Sequence, residues 1–205
     1  MNHAKATFFD SQVETPWAGT PYGRAEKPKL DRLFMHCGPL TGRTVLEPGC
    51  GTGRLTYELA QAVGPTGYVH ACDISPKMVR KARQRTCGIT QVSVAHAAME
   101  ELKIEKESVD LAICHQVFPH FSDKSSALGW IANVLKPDGA LLIVHFECRI
   151  VINDVHRKAG TVVAHDHLPD QEEMAELLKT AGFQIEYYSD DPDLGYLLKA
   201  VIKLR

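Results

Sequence analysis

The chain has 205 residues, of which 44% are hydrophobic and 23% are charged, and its net charge is −2 with histidine neutral. This length fits one domain with a buried core, and the charge gives no basis for binding nucleic acid by bulk electrostatics. The N-terminus has no signal-peptide core, and apolar runs such as ALLIVHF are too short to span a bilayer. We therefore expect a soluble, cytoplasmic protein with no membrane or nucleic-acid partner. The six cysteines form no CxxC pair, which favours free thiols.

Apolar runs alternate with helix-spaced segments through the first 146 residues. The runs TVLEPGC, YVHACDIS, VSVAHA, SVDLAICHQVF and GALLIVHF are typical of buried strands. Segments such as KLDRLFMHCG, GRLTYELAQAVG, PKMVRKARQRTCG and SSALGWIANVLKPDG have helical spacing and stop at glycine. This order predicts an α/β fold with a doubly wound, mostly parallel sheet and helices on both faces.

The pattern changes after Phe146. A polar segment leads to DQEEMAELLKTAGF, where Asp170 and Glu173 make a capping box and Gly182 ends the predicted helix. The last two runs, QIEYYSDD and YLLKAVIKLR, are joined by the short turn PDLG. A turn this short allows only an antiparallel hairpin, so we expect one at the sheet edge, completing seven strands.

Glycines and acids follow the first two strands. The first ends in VLEPGCGTGRLT, with Glu47, Gly49, Gly51 and Gly53, and the second ends in ACDIS, with Asp73. Ligands of such sheets bind beyond the carboxyl ends of the strands, and glycine lets the backbone approach a ligand closely. A nicotinamide fingerprint would need a glycine where Arg54 stands and an acid after the glycines, so that cofactor is disfavoured.

The motif LEPGCGTGRLT resembles the E-x-G-x-G-x-G motif of class I S-adenosylmethionine-dependent methyltransferases of the small-molecule type, and LKPDGALLIVHF is similar to that family's K-P-G-G turn. The resemblance implies a Rossmann-like fold and an enzyme that uses S-adenosyl-L-methionine. It implies that Asp73 holds the ribose hydroxyls, and it puts the family's adenine-binding acid at Ala98, where this chain lacks one. Met99 or Glu100 would then serve adenine. The residues that it assigns to the cofactor are Glu47, Gly49, Cys50, Gly51, Gly53, Asp73, Ile74, Met78, Ala98, Met99 and His115.

The N-terminal stretch FFDSQVETPW is similar to the lid of small-molecule members of this family. Phe8, Phe9 and Trp17 either cover a ligand or pack between helices. The predicted organisation is a lid over residues 1–27 and one domain over 28–205, in which 147–169 is a substrate-side insertion.

The stretch VHFECRIVINDVHRKAGTVVAHDHLP, residues 144–169, contains four of the ten histidines. The candidate catalytic residues are His145, Asn153 and His156 from this stretch and His120 after the fourth strand. RIVINDVHRKAG predicts a helix with Asn153 and His156 on one face. TVVAHDHLP predicts an extended run, in which His165 and His167 point away from Asp166.

Three interpretations of this stretch stay open at this point. It can form a metal-free polar pocket with His145 or His156 as a base. It can bind a divalent metal through His145, His156 and Asp166. It can also be a solvated loop.

The function predicted from these features is methyl transfer to a small molecule in the cytoplasm. The alternatives are a metal-binding methyltransferase that acts on a metal-coordinated acceptor, and a non-catalytic S-adenosylmethionine-binding module. The motif found in relatives that methylate DNA or protein glutamine, Asn/Asp-Pro-Pro-Tyr/Phe, does not follow the fourth strand, which disfavours those substrates.

Overall fold

The computed structural model of the protein describes residues 2–203. Met1 and residues 204–205, which the predicted lid, domain and hairpin ranges include, lie outside them. The α-helices are α1 (His3–Gln12), α2 (Pro16–Gly19), α3 (Lys27–Cys37), α4 (Arg54–Val63), α5 (Pro76–Arg85), α6 (Lys124–Val134), α7 (Arg149–Lys158) and α8 (Gln171–Thr180). The strands are β1 (Thr44–Pro48), β2 (Tyr68–Asp73), β3 (Val92–His96), β4 (Val109–His115), β5 (Leu135–His145), β6 (Phe183–Asp191) and β7 (Gly195–Ile202).

The seven strands form one sheet in the order β3-β2-β1-β4-β5-β7-β6. Strands β1 to β5 pair in parallel, whereas β7 runs antiparallel to both β5 and β6. This arrangement confirms the predicted fold class and the C-terminal hairpin. The strand order reverses between β1 and β4, so a ligand crevice is expected beyond their carboxyl ends.

The core lies on both faces of the central strands. Almost every residue of β1, β4 and the second half of β5 is buried, whereas the edge strand β3 is only partly buried. This difference follows from the layering, because helices cover the middle of a doubly wound sheet on both sides. The alternation of apolar runs and helices that is visible in the sequence is therefore the origin of the fold.

The N-terminal helix α1 packs against α5 at the carboxyl edge of the sheet. Asn2 caps α1 by accepting a hydrogen bond from the Lys5 N–H at 3.1 Å. The Asp10 carboxylate accepts hydrogen bonds from the Ser75 hydroxyl and from the Lys77 N–H at the start of α5. These contacts place α1 above the ends of β2 and β4.

The segment after β5 follows its prediction in part. Helix α7 forms where the spacing predicted one, but residues 161–165 form turns, so the extended conformation predicted for them is wrong. The turn is closed by the Asp166 N–H, which donates to the Val163 carbonyl at 2.9 Å. His165 and His167 are exposed, and Asp166 points inward with its side chain 11% exposed.

No helix among residues 2–203 combines the length and the apolar character that crossing a membrane requires.

Candidate active site

A cavity of about 1090 Å³ opens at the carboxyl edge of the parallel strands. It has two ends, which we name by their linings. The glycine-loop half is lined by Gly49, Gly51, Asp73, Ile74, Met78, Ala98 and Met99. The histidine half is lined by Phe9, His120, Phe121, His145, Val151, Ile152, Val155, His156 and Val163.

The glycine loop turns sharply between β1 and α4. Gly49 and Gly51 have φ values of 66° and 55°, which side chains other than glycine rarely adopt. A Cβ on Gly49 would lie 2.2 Å from Val117 Cγ2, whereas a Cβ on Gly51 would meet nothing within 4 Å. Gly49 thus lets the loop pack against the segment after β4, and Gly51 leaves open space on the cavity side.

Asp73, at the end of β2, connects the loop to the second strand. Its carboxylate accepts the Gly51 N–H at 2.9 Å and the Ser75 N–H at 2.8 Å. Asp73 is 8% exposed, and burial raises its pKa in spite of these two donors. A carboxylate with lone pairs left over in a cavity wall is a suitable acceptor for a pair of hydroxyl groups.

Glu47 lies one layer beneath the loop. It is 2% exposed, does not line the cavity, and its Oε2 has no hydrogen-bond partner within residues 2–203. Burial raises the pKa of Glu47 to about 8, against the opposing influence of the Thr56 hydroxyl. A buried polar atom without a partner is costly, and the raised pKa keeps Glu47 largely protonated at neutral pH, which limits the charge buried beneath the loop.

The predicted cofactor residues fall into two sets. Seven of them form the glycine-loop half as defined above, whereas Glu47, Cys50, Gly53 and His115 do not line the cavity. Cys50 is buried, and its N–H donates to the Cys72 carbonyl at 2.9 Å. A Cβ on Gly53 would lie 2.9 Å from Ala82 Cα, so Gly53 allows α4 to approach α5.

His115 differs most from its predicted role as a contact of the methionyl group. Its ring packs at 4.8 Å from the ring of Phe146 and at 6.3 Å from that of Tyr22, outside the cavity lining. Its Nε2 is buried, and burial lowers its pKa to about 3. The next residue, Gln116, lines the cavity instead and has a φ of 56°, a backbone conformation that no sequence pattern indicated.

Residue 98, where the family resemblance puts an adenine-binding acid, is an alanine at the far end of the glycine-loop half. The Ala98 N–H donates to Glu101 Oε2 at 2.9 Å. Met99 is 3% exposed and presents an apolar surface, and Glu100 is exposed at the cavity rim.

Arg54 connects the glycine loop to the N-terminal segment. Its Nη1 donates to the Trp17 carbonyl at 2.6 Å, its Nη2 donates to both oxygens of Glu26 at 2.8 Å, and its guanidinium lies 4.0 Å from the centre of the Tyr22 ring. Phe8, Phe9 and Trp17 line the cavity from this segment. In the sequence, Arg54 is notable only because it stands where a nicotinamide fingerprint would need a glycine.

His145 lies at the end of β5 and is 4% exposed. Its Nε2 has no hydrogen-bond partner within residues 2–203. Burial lowers the pKa of His145 well below its ordinary value, and the neighbouring His115, His120 and His156 act in the same direction. His145 is therefore neutral, and no carboxylate within residues 2–203 pairs with its ring.

His120 has the anionic partner that His145 lacks. Its Nδ1 lies 2.8 Å from Asp166 Oδ2, and Lys5 Nζ donates to Asp166 Oδ1 at 2.7 Å and to the His120 carbonyl at 2.8 Å. The side chains of Lys5, Asp166 and His120 are 9%, 11% and 14% exposed. Lys5 belongs to α1, and nothing in its sequence surroundings marked it as a site residue.

Asn153 and His156 do share the face of α7 that was predicted, but that face meets the backbone of residues 166–168. The Asn153 amide donates to the Leu168 carbonyl at 3.0 Å and accepts the Leu168 N–H at 2.7 Å. Asn153 is outside the cavity lining, and both of its amide atoms are occupied, so its position gives no support to the predicted catalytic role. His156 lines the cavity, and its Nδ1 lies 2.8 Å from the Asp166 carbonyl oxygen.

The predicted metal ligands do not form a metal site. Within residues 2–203 no group of three or more His, Cys, Asp or Glu side chains is placed to hold a metal ion. The Asp166 carboxylate is used by Lys5 and His120, and a ring nitrogen of His156 is used by a backbone carbonyl. The hypothesis that His145, His156 and Asp166 bind a metal is therefore not supported.

Comparison with known proteins agrees with this geometry. A family profile described as a methyltransferase domain matches residues 40–184. The ubiquinone/menaquinone biosynthesis C-methyltransferase of Klebsiella pneumoniae is 31% identical, over 77% of this chain and 74% of that protein. An uncharacterised 37.1 kDa protein of a Streptomyces fradiae transposon is 37% identical over half of this chain, which spans 30% of that protein's length.

Solved structures share the fold at lower identity. The magnesium protoporphyrin IX methyltransferase of Synechocystis, with S-adenosylhomocysteine bound, superposes with a TM-score of 0.72 at 22% identity, covering 98% of this chain and 99% of that chain. An S-adenosylmethionine-dependent methyltransferase of Aquifex aeolicus gives a TM-score of 0.67 at 22% identity, covering 98% and 97%. The chain belongs to the class I S-adenosylmethionine-dependent methyltransferases.

Proposed function

We propose that the protein methylates a small, largely apolar molecule held in the histidine half of the cavity while S-adenosylmethionine occupies the glycine-loop half, and that it does so in the cytoplasm. The observation that carries the proposal is that one continuous cavity joins Asp73 and the glycine loop to His120, His145 and His156. A donor site and an acceptor site in one continuous cavity are what a transfer between two small molecules requires.

The residues present fit the methyl donor. Asp73 would accept the ribose hydroxyls, Gly51 leaves space for the methionyl group, and Met78 and Met99 supply apolar surfaces for the sugar and the adenine. Glu47, whose Oε2 has no hydrogen-bond partner within residues 2–203, would either hold the glycine loop or contact the methionyl amine. When bound, S-adenosylmethionine supplies a methyl group on a positively charged sulfur that a nucleophile displaces in line. The protein's part is to hold the two molecules in register and to exclude water.

The lining of the histidine half supports a small organic acceptor. Its walls are mainly aromatic and aliphatic, with three imidazoles and, beside His120, the Lys5 side chain as polar groups, which is typical of small-molecule sites. The relative from Klebsiella pneumoniae is named as a C-methyltransferase of ubiquinone and menaquinone biosynthesis, which is consistent with an acceptor of this kind.

Binding of S-adenosylhomocysteine tests the donor half. By calorimetry, wild-type protein should bind it, and Asp73→Ala should weaken binding by about tenfold or more, because each charge-assisted hydrogen bond contributes roughly 1.5–3 kcal/mol. Asp138→Ala, which removes an exposed aspartate in the turn that begins β5, is the matched control and should bind as wild type does. Equal affinities for Asp73→Ala and wild type would rule out the assigned ribose contact.

Turnover separates an enzyme from a binding module. Methyl groups labelled in S-adenosylmethionine should appear in members of a panel of apolar phenols, thiols, amines and carboxylates. Tight binding of the cofactor without transfer to any of them would favour the non-catalytic alternative.

A further inference from the structure

We propose that His120 is the catalytic base of this methyltransferase, oriented by Asp166 and Lys5, and that its acceptor is an apolar molecule with a phenol-type or enol-type hydroxyl. This inference rests on the proposed function, because it concerns the acceptor bound in the same cavity.

His120 has one ring nitrogen that is held by a partner and one that is free. Its Nδ1 is held by Asp166 Oδ2 at 2.8 Å, whereas its Nε2 has no hydrogen bond to any residue between 2 and 203. His120 lines the cavity, so the free nitrogen belongs to a ring that contacts the acceptor space. An imidazole that donates through Nδ1 to a carboxylate presents Nε2 as a proton acceptor.

A proton accepted by His120 would be stabilised by the neighbouring Asp166 carboxylate. The imidazolium formed on His120 would lie against the Asp166 carboxylate, so its charge is stabilised at the moment when it appears. Burial lowers the pKa of His120, opposed mainly by its hydrogen bond to Asp166, and therefore the ring is neutral and ready to accept a proton at neutral pH. His145 has no such partner among residues 2–203, and the Nδ1 of His156 lies against the neutral carbonyl of Asp166.

Lys5 fixes the carboxylate. It bonds to Asp166 Oδ1 and to the His120 carbonyl, so it joins both members of the pair although 115 and 161 residues separate it from them in the chain. A single lysine that spans both residues holds Oδ2 towards the ring. Lys5 is a positioning residue because it acts through Asp166.

The basicity of an imidazole and the apolar walls around His120 favour an acceptor with an acidic hydroxyl. An imidazole can remove the proton of a phenol or an enol, with a pKa of about 10 as in tyrosine, much more readily than that of an alkyl alcohol. The walls around His120 are Phe9, Phe121 and the valines of α7 and the following turn, which suit a ring or another flat apolar body. The Phe9 ring meets the His120 ring edge-on, with centroids 5.0 Å apart.

The chemistry balances without a further reactant. The hydroxyl proton passes to His120 Nε2 as the oxygen, or the ring carbon conjugated to it, forms a bond to the methyl carbon. The sulfur–methyl bond breaks, and its electron pair stays on sulfur as a neutral thioether. When a carbon is attacked, its own proton passes to water and the oxygen takes back the proton from His120, which restores the hydroxyl and the aromatic ring. When the oxygen is attacked, the proton on His120 passes to water after the product leaves.

The test uses substituted phenols of similar size, from 4-chlorophenol, which is un-ionised at neutral pH, to 2,4-dinitrophenol, which is fully ionised. His120→Gln should lower kcat for 4-chlorophenol by about 100-fold or more but for 2,4-dinitrophenol by less than about threefold, because only the first needs a base. Asp166→Asn should show the same acidity dependence at about 10-fold, with KM within about threefold of wild type.

Two comparison variants complete the test. His156→Gln removes the ring next to that of His120, with centroids 4.6 Å apart and planes tilted by 50°, and its loss of activity should not depend on phenol acidity. His165→Gln changes an exposed histidine of the same segment and should match wild type. S-Adenosylhomocysteine affinity, measured for every variant, shows whether each remains folded.

A spectroscopic measurement needs no turnover. A nitrophenol with a pKa near neutral, bound together with S-adenosylhomocysteine, should show more phenolate absorbance on wild type than on His120→Gln. Lys5→Met should give an intermediate phenolate fraction, because Asp166 is then no longer fixed.

The outcomes separate the two proposals. Absence of both S-adenosylhomocysteine binding and methyl transfer in wild type would overturn the proposed function. Wild type that binds S-adenosylhomocysteine and methylates only amines or thiols, or a His120→Gln loss that is equal for all phenols, would overturn this inference alone.

Discussion

The two halves of the cavity are held by different kinds of contact. In the glycine-loop half, residues close in sequence meet through backbone groups, as when Asp73 accepts the N–H groups of Gly51 and Ser75. In the histidine half, side chains from remote segments meet each other, as when Lys5 reaches Asp166. The first half is thus fixed by backbone conformation and the second by packing between segments. Substitutions in the two halves should therefore fail in different ways.

The largest effect is expected in the glycine-loop half. Gly49→Ala should lower the free energy of unfolding by about 3 kcal/mol, because the new Cβ would lie 2.2 Å from Val117 Cγ2 at a φ of 66°. Urea denaturation measures it. Gly38→Ala has a similar φ of 68°, at a ψ of −164° that also favours glycine, but open space around its Cβ, so it should lose less, about 1–2 kcal/mol. Equal losses would show that crowding at Val117 is not the cause.

A smaller effect is expected from the support of the histidine half. Asn153→Ala should lower the free energy of unfolding by about 2 kcal/mol, because the Leu168 N–H and carbonyl both lose their partner. S-Adenosylhomocysteine affinity should not change. Asn133→Ala, an exposed asparagine in helix α6, controls for the change in helix propensity. A change in cofactor affinity with no loss of stability would return Asn153 to the site.

The smallest effect concerns the pH dependence of stability. The folded pKa of His145 is lowered by burial below the unfolded value of about 6.5, so the protonated form favours unfolding. The stability contributed by the neutral ring is present above that value and is lost as the pH falls below it. His145→Gln should remove this dependence, reducing the slope of the unfolding free energy between pH 6 and 5 by about 1.4 kcal/mol per pH unit.

The control for this measurement is His165→Gln, which should leave the slope unchanged because that ring is exposed. Glu47, whose pKa is raised to about 8, is present in both proteins and cancels from the difference. A slope identical to wild type in His145→Gln would mean that His145 is protonated in the folded protein at these pH values.

The sequence predicted the sheet, the hairpin and the loop at the end of β1, because these depend on local patterns. Short apolar runs bounded by turn residues indicate buried strands, and glycines next to an acid indicate a turn whose backbone bends sharply. Asp73 was found because strand ends meet at one edge of a parallel sheet. Each of these inferences depends on patterns within short segments or on the general geometry of a parallel sheet.

The histidine half could be predicted only in part, for a physical reason. Helical spacing showed that Asn153 and His156 share a face of α7, but it contained no information about what lies opposite, which is the backbone of residues 166–168. The contact from Lys5 to Asp166 spans 161 residues and leaves no periodic signal. At the end of β4, a positive φ at Gln116 turns that side chain to the cavity, so His115 does not line it.

Arg54 restricts the movement of the N-terminal segment that lines part of the cavity. It is the first residue of α4, so its position is set by the loop, yet its guanidinium holds Trp17, Glu26 and Tyr22 of the N-terminal segment. The segment cannot swing away at Trp17 while these bonds last, because three hydrogen bonds and one ring contact must break together at a single side chain. Arg54 thus fastens the N-terminal segment to the first turn of α4, so the motion of that segment is coupled to the motion of the glycine loop.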